Sequence, residues 1–235
     1  LVFLFSLNHT DSFIASGYAA FALAVSHTFW WHASTPEVYT LFIFLLLLSL
    51  YFFEQFEKTR ATSSFMLSAF FFGVSASDHL LAFLAFPALG LYLILSKKYR
   101  SLNLNLQKII FASLAFILGF SIYIIQFIRL TKNFSIGKLM GPAAGATFLE
   151  NLGTLSLAAL GESLTRYGLF FALQFGAVGI VFGILGFRKA FNGAAQKFVL
   201  FFSIYALFGI LYRVSDQFAF FLTSYVFFAL LMGLG

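Results

Sequence analysis

The sequence predicts an all-α fold, a polytopic bundle of transmembrane helices, and three observations carry that prediction. The mean hydropathy over 235 residues is +0.96. Hydrophobic residues make up 61% of the chain and charged residues only 9%, where soluble domains carry roughly 25% charged residues. So few charges cannot cover a water-facing surface of this size, and lipid is the solvent that removes the need. Finally, 37 Phe stand against 3 Pro, so the apolar runs are long and rarely broken, as a helix of about 20 residues crossing a bilayer requires.

Taken in order, the runs are Leu1–Leu7, Phe13–Trp31, Glu37–Phe56, Phe65–Ser96, Ile109–Leu130, Tyr167–Phe187, Phe198–Tyr212 and Phe218–Gly235. The first reads as the tail of an earlier helix and the last ends inside an apolar run. The sequence is therefore read as an internal fragment, one transmembrane domain over residues 1–235, lacking the N-terminal helices of a longer protein; a signal peptide cannot be judged. Phe65–Ser96 is too long for one span. Gly73 and Ser75-Ala76-Ser77-Asp78-His79 interrupt it, which predicts two short helices meeting at broken backbone that is buried in protein or lines a wet cavity. Gly176, Gly179, Gly183 and Gly186 step along one helix face, where small residues let another helix approach.

The net charge of +6 sits mostly between the apolar runs. It reads as a set of topology signals and lipid-headgroup contacts, not as a nucleic-acid surface. Lys58 and Arg60, then Lys97, Lys98, Arg100 and Lys108, then Arg188, Lys189 and Lys197 mark three linkers, which the positive-inside rule makes cytoplasmic. With the Phe65–Ser96 run split, all three agree in parity. His32–Glu37, Ser75–His79, Thr131–Arg166 and Arg213–Asp216 then fall outside. In the long outer loop, residues 131–166, Gly137, Gly141, Pro142 and Gly145 make the first part irregular. Phe148, Leu152, Leu155 and Ala159 follow at helical spacing, either as a helix lying in the membrane interface or as one packed on the bundle.

There is no Cys, hence no disulfide framework and no thiolate site. No nucleotide or metalloprotease motif appears, and no close metal-ligand spacing. The sequons at Asn8 and Asn133 are weak signals. The informative polar residues are Glu37, Asp78, His79, Asp216, Arg213 and His32, which cluster at three outer junctions. Ionisable groups near membrane depth are costly unless paired or wet, so they are functional candidates. Acids, a His and an Arg together suit an acidic donor and a hydroxyl acceptor. Each also has a structural reading. Ser34-Thr35-Pro36-Glu37 fits a capping box, Asp78 and Asp216 fit helix N-termini, Arg213 fits snorkelling or pairing with Asp216, and Trp30 and Trp31 fit interfacial anchors. His79 is harder to explain by capping.

These residues carry a family resemblance. Phe29-Trp30-Trp31-His32-Ala33-Ser34-Thr35-Pro36-Glu37-Val38-Tyr39-Thr40-Leu41 resembles a Trp-x-x-Ala-x-x-x-Glu-Val-Tyr-x-Leu signature. Gly73-Val74-Ser75-Ala76-Ser77-Asp78-His79-Leu80, with Pro87-Ala88-Leu89 after it, resembles a Gly-Leu-Ser-x-x-Asn-His segment. Tyr212-Arg213-Val214-Ser215-Asp216 before Phe220-Phe221-Leu222 resembles Tyr-x-Val-x-Asp ahead of a final apolar helix. The family is that of membrane proteins linked to protein O-mannosyltransferases, in the GT-C class of polytopic glycosyltransferases. The resemblance runs from about residue 13 to the end. Asp78 departs from it, standing where the family has Asn.

The resemblance implies transfer of a mannose-like sugar from a polyprenyl-phosphate-linked donor to a protein or glycan hydroxyl on the extracytoplasmic side. Its partners would be the lipid-linked donor, the acceptor and membrane lipids, with no nucleic acid and no cofactor beyond the donor; metal dependence is open. Localisation would be the bacterial inner membrane, or otherwise the endoplasmic reticulum membrane. Enzymes of the class carry their catalytic acid in the first external loop, which would precede Leu1. The general base is then upstream, this segment alone is expected to be inactive, and Glu37, Asp78, His79, Arg213, Asp216 and His32 are expected to support the site or bind substrate. Arg213 is the first choice for the donor phosphate, ahead of Lys132, Lys138 and Arg166, because Arg stays charged and can bind bidentately. The rival reading is a transporter or channel, since broken helices with polar groups at depth also mark transporters; no inverted repeat is visible, and the acids lie toward one face. A non-catalytic membrane scaffold is a third.

Overall fold

The computed structural model describes residues 1–35, 37–97, 101–136, 146–191, 193 and 195–235. Pro36, Lys98, Arg100, Lys138 and the glycine-rich stretch Gly137, Gly141, Pro142 and Gly145 lie outside the described residues. Among the described residues the secondary structure is helical, without strands. The helices are α1 Val2–Thr10, α2 Phe13–Ala24, α3 His27–Ser34, α4 Tyr39–Thr59, α5 Thr62–Asp78, α6 Ala85–Leu95, α7 Leu106–Leu130, α8 Ala146–Gly153, α9 Leu157–Ala190, α10 Gln196–Leu211 and α11 Gln217–Leu234, with a 3-10 turn at Leu80–Leu84. Four of them (α4, α7, α9 and α11) are long and apolar enough to cross a membrane, and the bent pair α2 and α3 makes up to five. The chain is a polytopic helical bundle, as its composition predicts.

The helices fall into two compact units. The first comprises Leu1–Glu37, Leu84–Tyr92 and Phe148–Gly235. Its centre is α11, buried almost throughout from Gln217 to Gly233. The glycine stripe of α9 packs here. A Cβ on Gly183 would run into the Phe228 ring, one on Gly186 into the Leu231 carbonyl, and one on Gly179 would press on Met232. Phe171 and Phe228 meet at 4.4 Å between ring centroids, and Phe175 lies 5.1 Å from the same ring. Gly176 does something different from its three partners. It has open space around it and takes φ 58°, ψ −177°, which breaks α9; glycine tolerates this conformation at little cost. Lys197 is a buried cation 5.4 Å over the Tyr92 ring, a structural contact where the charge pattern suggested only a topology signal.

The second unit comprises Val38–Phe83 and Leu93–Thr147. Here α5 packs on α4 and α7. Serine hydroxyls bond across the helices: Ser49 Oγ donates to Ser68 O at 2.8 Å, Ser75 Oγ to Phe42 O at 3.1 Å, and Ser77 Oγ to Gly119 O at 3.1 Å. A hydroxyl in an apolar bundle satisfies itself this way. Phe116, Phe120, Tyr123 and Phe127 stack along α7. The opposite face of that helix presents Leu106, Leu114, Leu118 and Ile122 outward, as a lipid-facing surface should.

Several boundaries differ from the sequence reading. The Phe65–Ser96 run is broken as expected, but at His79, which leaves the helix with φ −149°, ψ 125°. Gly73 lies inside α5 and serves packing. The Phe13–Trp31 run is not one straight span, because it bends by 62° between α2 and α3. The Phe198–Tyr212 run becomes α10, of 16 residues, about 24 Å long at 1.5 Å per residue and short of a 30 Å hydrocarbon core. α9 begins ten residues before Tyr167, capped by Ser156, whose Oγ accepts from Ala159 N at 3.1 Å. Leu155 and Ala159 therefore do not share a helix with Phe148, whose ring instead stacks on Phe208 at 5.0 Å.

Candidate functional site

Four of the six candidate residues belong to the first unit. α3 ends two residues after His32, whose side chain is buried at 3% exposure and stacks on Phe218 of α11, 5.5 Å between centroids and 23° between planes. Glu37 and Asp216 both act electrostatically on this imidazole. Glu37 lies on the connection into α4 and Asp216 on the turn into α11, and both are exposed. An imidazole in the field of two carboxylates can take up or give up a proton.

The structural readings of these acids can now be tested. Ser34 is the last residue of α3, not a cap of the next helix. Its Oγ donates to Trp31 O at 3.1 Å. α4 starts at Tyr39 with Val38 as its N-cap residue and no side-chain capping bond. The capping box is absent, so Glu37 is not explained as a cap. Asp216 does occupy the N-cap position of α11, yet its carboxylate makes no capping bond. Arg213 is half-buried and forms no ion pair with Asp216.

Arg166 lies in the same unit. It pairs with Glu162 at 2.9 Å and donates to Gln217 Oε1 at 3.3 Å. Gln217, buried at 2% exposure, also donates through Nε2 to Gly209 O at 2.9 Å and Ile210 O at 3.2 Å. It satisfies the last carbonyls of α10 and closes the turn that carries Arg213 and Asp216. Sequence reasoning did not single out Gln217, Gln174, Glu162 or Thr28. For Gln174 and Gln217 the available signal was an amide within or beside an apolar run, where an unpaired polar group is costly.

Asp78 and His79 lie in the second unit. Asp78 is the last residue of α5, the wrong end for a helix N-terminus. Its Oδ2 is buried without a hydrogen-bond partner among the described residues. His79 does have a capping role, because Nδ1 accepts from Leu81 N at 3.0 Å at the start of the 3-10 turn. Its ring packs on Tyr39 and Phe42 at 5.3 and 5.6 Å.

A cavity of about 480 Å3 opens in the first unit beside His9, Thr10, Ser12, Lys189 and Gly233. It touches the end of α11, about 25 Å along that helix from His32's neighbour Phe218, and includes none of the six candidates. The candidate site is taken at the Phe218 end, beside His32 and the turn that carries Arg213 and Asp216.

Residues 6–103 match the family model of the protein O-mannosyl-transferase TMEM260 N-terminal domain, which bears out the family resemblance. The match spans less than half of the chain. It contains the segments around Glu37 and Asp78 and stops before α7, so it leaves the Tyr212–Asp216 motif outside. No curated protein and no solved structure matches the chain significantly.

Proposed function

We propose that this chain is part of an integral-membrane glycosyltransferase of the GT-C class. It would move a mannose-like sugar from a polyprenyl-phosphate-linked donor to a protein or glycan hydroxyl on the extracytoplasmic side. The observation that carries the reading is the family match over residues 6–103, which includes His32 and Glu37. In the inverting reaction the acceptor oxygen attacks the anomeric carbon and gives its proton to a carboxylate acting as general base. The bond from that carbon to the phosphate oxygen breaks, and the lipid phosphate leaves with the electron pair. Glu37, His32 and Asp216 orient the acceptor or donor, and Arg213 stabilises the departing phosphate. The extracytoplasmic face is the periplasmic side of a bacterial inner membrane or the lumen of the endoplasmic reticulum.

A transporter is the second reading, favoured by the 62° bend between α2 and α3 and by the break at Gly176. Purified full-length protein separates the two. Incubated with polyprenyl-phosphate mannose and a Ser/Thr-rich acceptor peptide, it is expected to yield mannosylated peptide. Absence of transfer together with solute uptake in liposomes overturns the enzyme reading.

A further inference from the structure

α3 starts immediately after a sharp bend, and a helix start leaves backbone N–H groups without intrahelical partners. Ser26 occupies the N-cap position but does not cap. Its hydroxyl points back and donates to Leu23 O at 2.7 Å. The N–H of Thr28 is instead capped from another helix, because Gln174 Oε1 of α9 accepts from it at 2.9 Å. The same carboxamide donates through Nε2 to Thr28 Oγ1 at 2.8 Å. Gln174 and Thr28 are 7% and 0% exposed, so water does not compete for these bonds. One carboxamide thus satisfies two polar groups of a single residue across two helices.

This link is one rung of a ladder. One turn further along α3, His32 stacks on Phe218, and Phe218 stacks on Phe170 at 6.1 Å and 16°. Phe170 lies one turn before Gln174 on α9. Thr28 and His32 are the buried residues of α3, and Gln174 holds the first. Two residues after Gln174, α9 breaks at Gly176, so the bend in one helix and the break in the other are joined by this side chain.

We propose that Gln174 is a positioning residue: it pins α3 beyond the bend and thereby fixes where His32 sits against Phe218. Its catalytic consequence rests on the transferase reading; its geometric consequence does not. Both are measured in full-length protein. A His32→Cys/Phe218→Cys pair, with the single-cysteine variants as background, reports the geometry through its rate of oxidative disulfide formation. Adding Gln174→Leu is expected to slow that rate about tenfold, because short-range reactions are steep in alignment. Thr28→Val keeps the capped N–H and should slow it less, while Thr28→Ser should leave it unchanged. In protein that keeps His32 and Phe218, Gln174→Leu should lower kcat more than it raises KM. Disulfide formation at the parent rate in Gln174→Leu overturns the proposal, and so does the parent rate in Thr28→Val should Gln174→Leu not fold. Failure of the parent protein to transfer mannose overturns the functional reading and leaves the disulfide rates to decide on Gln174.

Discussion

Gly73 of α5 and Gly119 of α7 face each other, and a Cβ on either would run into the backbone of the other helix, at the Phe116 carbonyl in one case and the Phe70 carbonyl in the other. Neither contact is the flexible end of a side chain, so neither can yield cheaply. Close backbone approach through paired small residues is how apolar helices associate where the hydrophobic effect is absent. Gly73→Ala and Gly119→Ala should each destabilise the second unit by about 1–3 kcal/mol, the usual penalty of overpacking. Gly17 has nothing within 4 Å of its built Cβ, and Gly17→Ala should be neutral or slightly stabilising. Thermal unfolding in detergent checks all three; equal melting temperatures would remove the crossing from the account.

Helices were legible in the sequence because a membrane helix needs only length and apolarity, and the break at His79 because Ser-Asp-His is poor company inside a lipid-spanning run. The bend between α2 and α3 was not legible. Ser26 and His27 interrupt the run only briefly, and what stabilises the bend, Gln174, is 146 residues away. Gly176 was hidden for another reason: it keeps the spacing of Gly179, Gly183 and Gly186, and only its backbone angles separate a break from a packing face. The candidate acids were visible as rare charges in an apolar chain. Their structural roles were not, since a Ser-x-x-Glu spacing cannot say where a helix starts.

The three basic linkers predict an orientation, and the absence of Cys from these 235 residues makes introduced cysteines clean reporters of it here. Ser34 and Ser215 are exposed, and cysteines there should label from outside with an impermeant reagent. A cysteine at Ser101, also exposed, should label only after permeabilisation. Ser77 is a poorer probe, because it is half-buried and bonds across to Gly119 O of α7. External labelling at Ser101 would reverse the assignment.

Asp78 carries a buried carboxylate oxygen without a hydrogen-bond partner among the described residues. Such an arrangement costs stability, and it persists where function needs it. Asp78→Asn removes the charge with little change of shape, and should raise or preserve the melting temperature while lowering turnover of the full-length enzyme about tenfold, roughly 1.4 kcal/mol in the barrier. Lost stability together with unchanged turnover would return Asp78 to a structural role.

Glu37 makes the converse case. α4 has no side-chain cap, so Glu37→Gln should leave stability within about 0.5 kcal/mol, as for a surface substitution. Its carboxylate does act on His32. If that charge orders the site, turnover of the full-length protein should fall at least about tenfold. Equal turnover at equal expression would remove Glu37 from the site.

Arg213 and Arg166 stand near the same end of α11, and their surroundings predict different behaviour. Arg166 already shares its guanidinium between Glu162 and Gln217. Losing it should therefore loosen the Gln217 network and lower stability before it alters donor use. Arg213 is half-buried on the turn closed by Gln217 and has no ion pair with Asp216, which leaves its fork available to an anionic group at headgroup depth. Lys can place a charge there but lacks the planar fork for bidentate phosphate binding. Arg213→Lys in the full-length protein should therefore fold normally and raise the KM for the lipid-phosphate donor about tenfold or more, as expected for one lost charge-assisted bond of about 1.5–3 kcal/mol. Arg213→Ala should raise it further, with the KM for acceptor peptide little changed. Donor titration of purified protein decides the matter: an unchanged donor KM in both variants would take Arg213 out of the phosphate site and leave Arg166 as the cation to test.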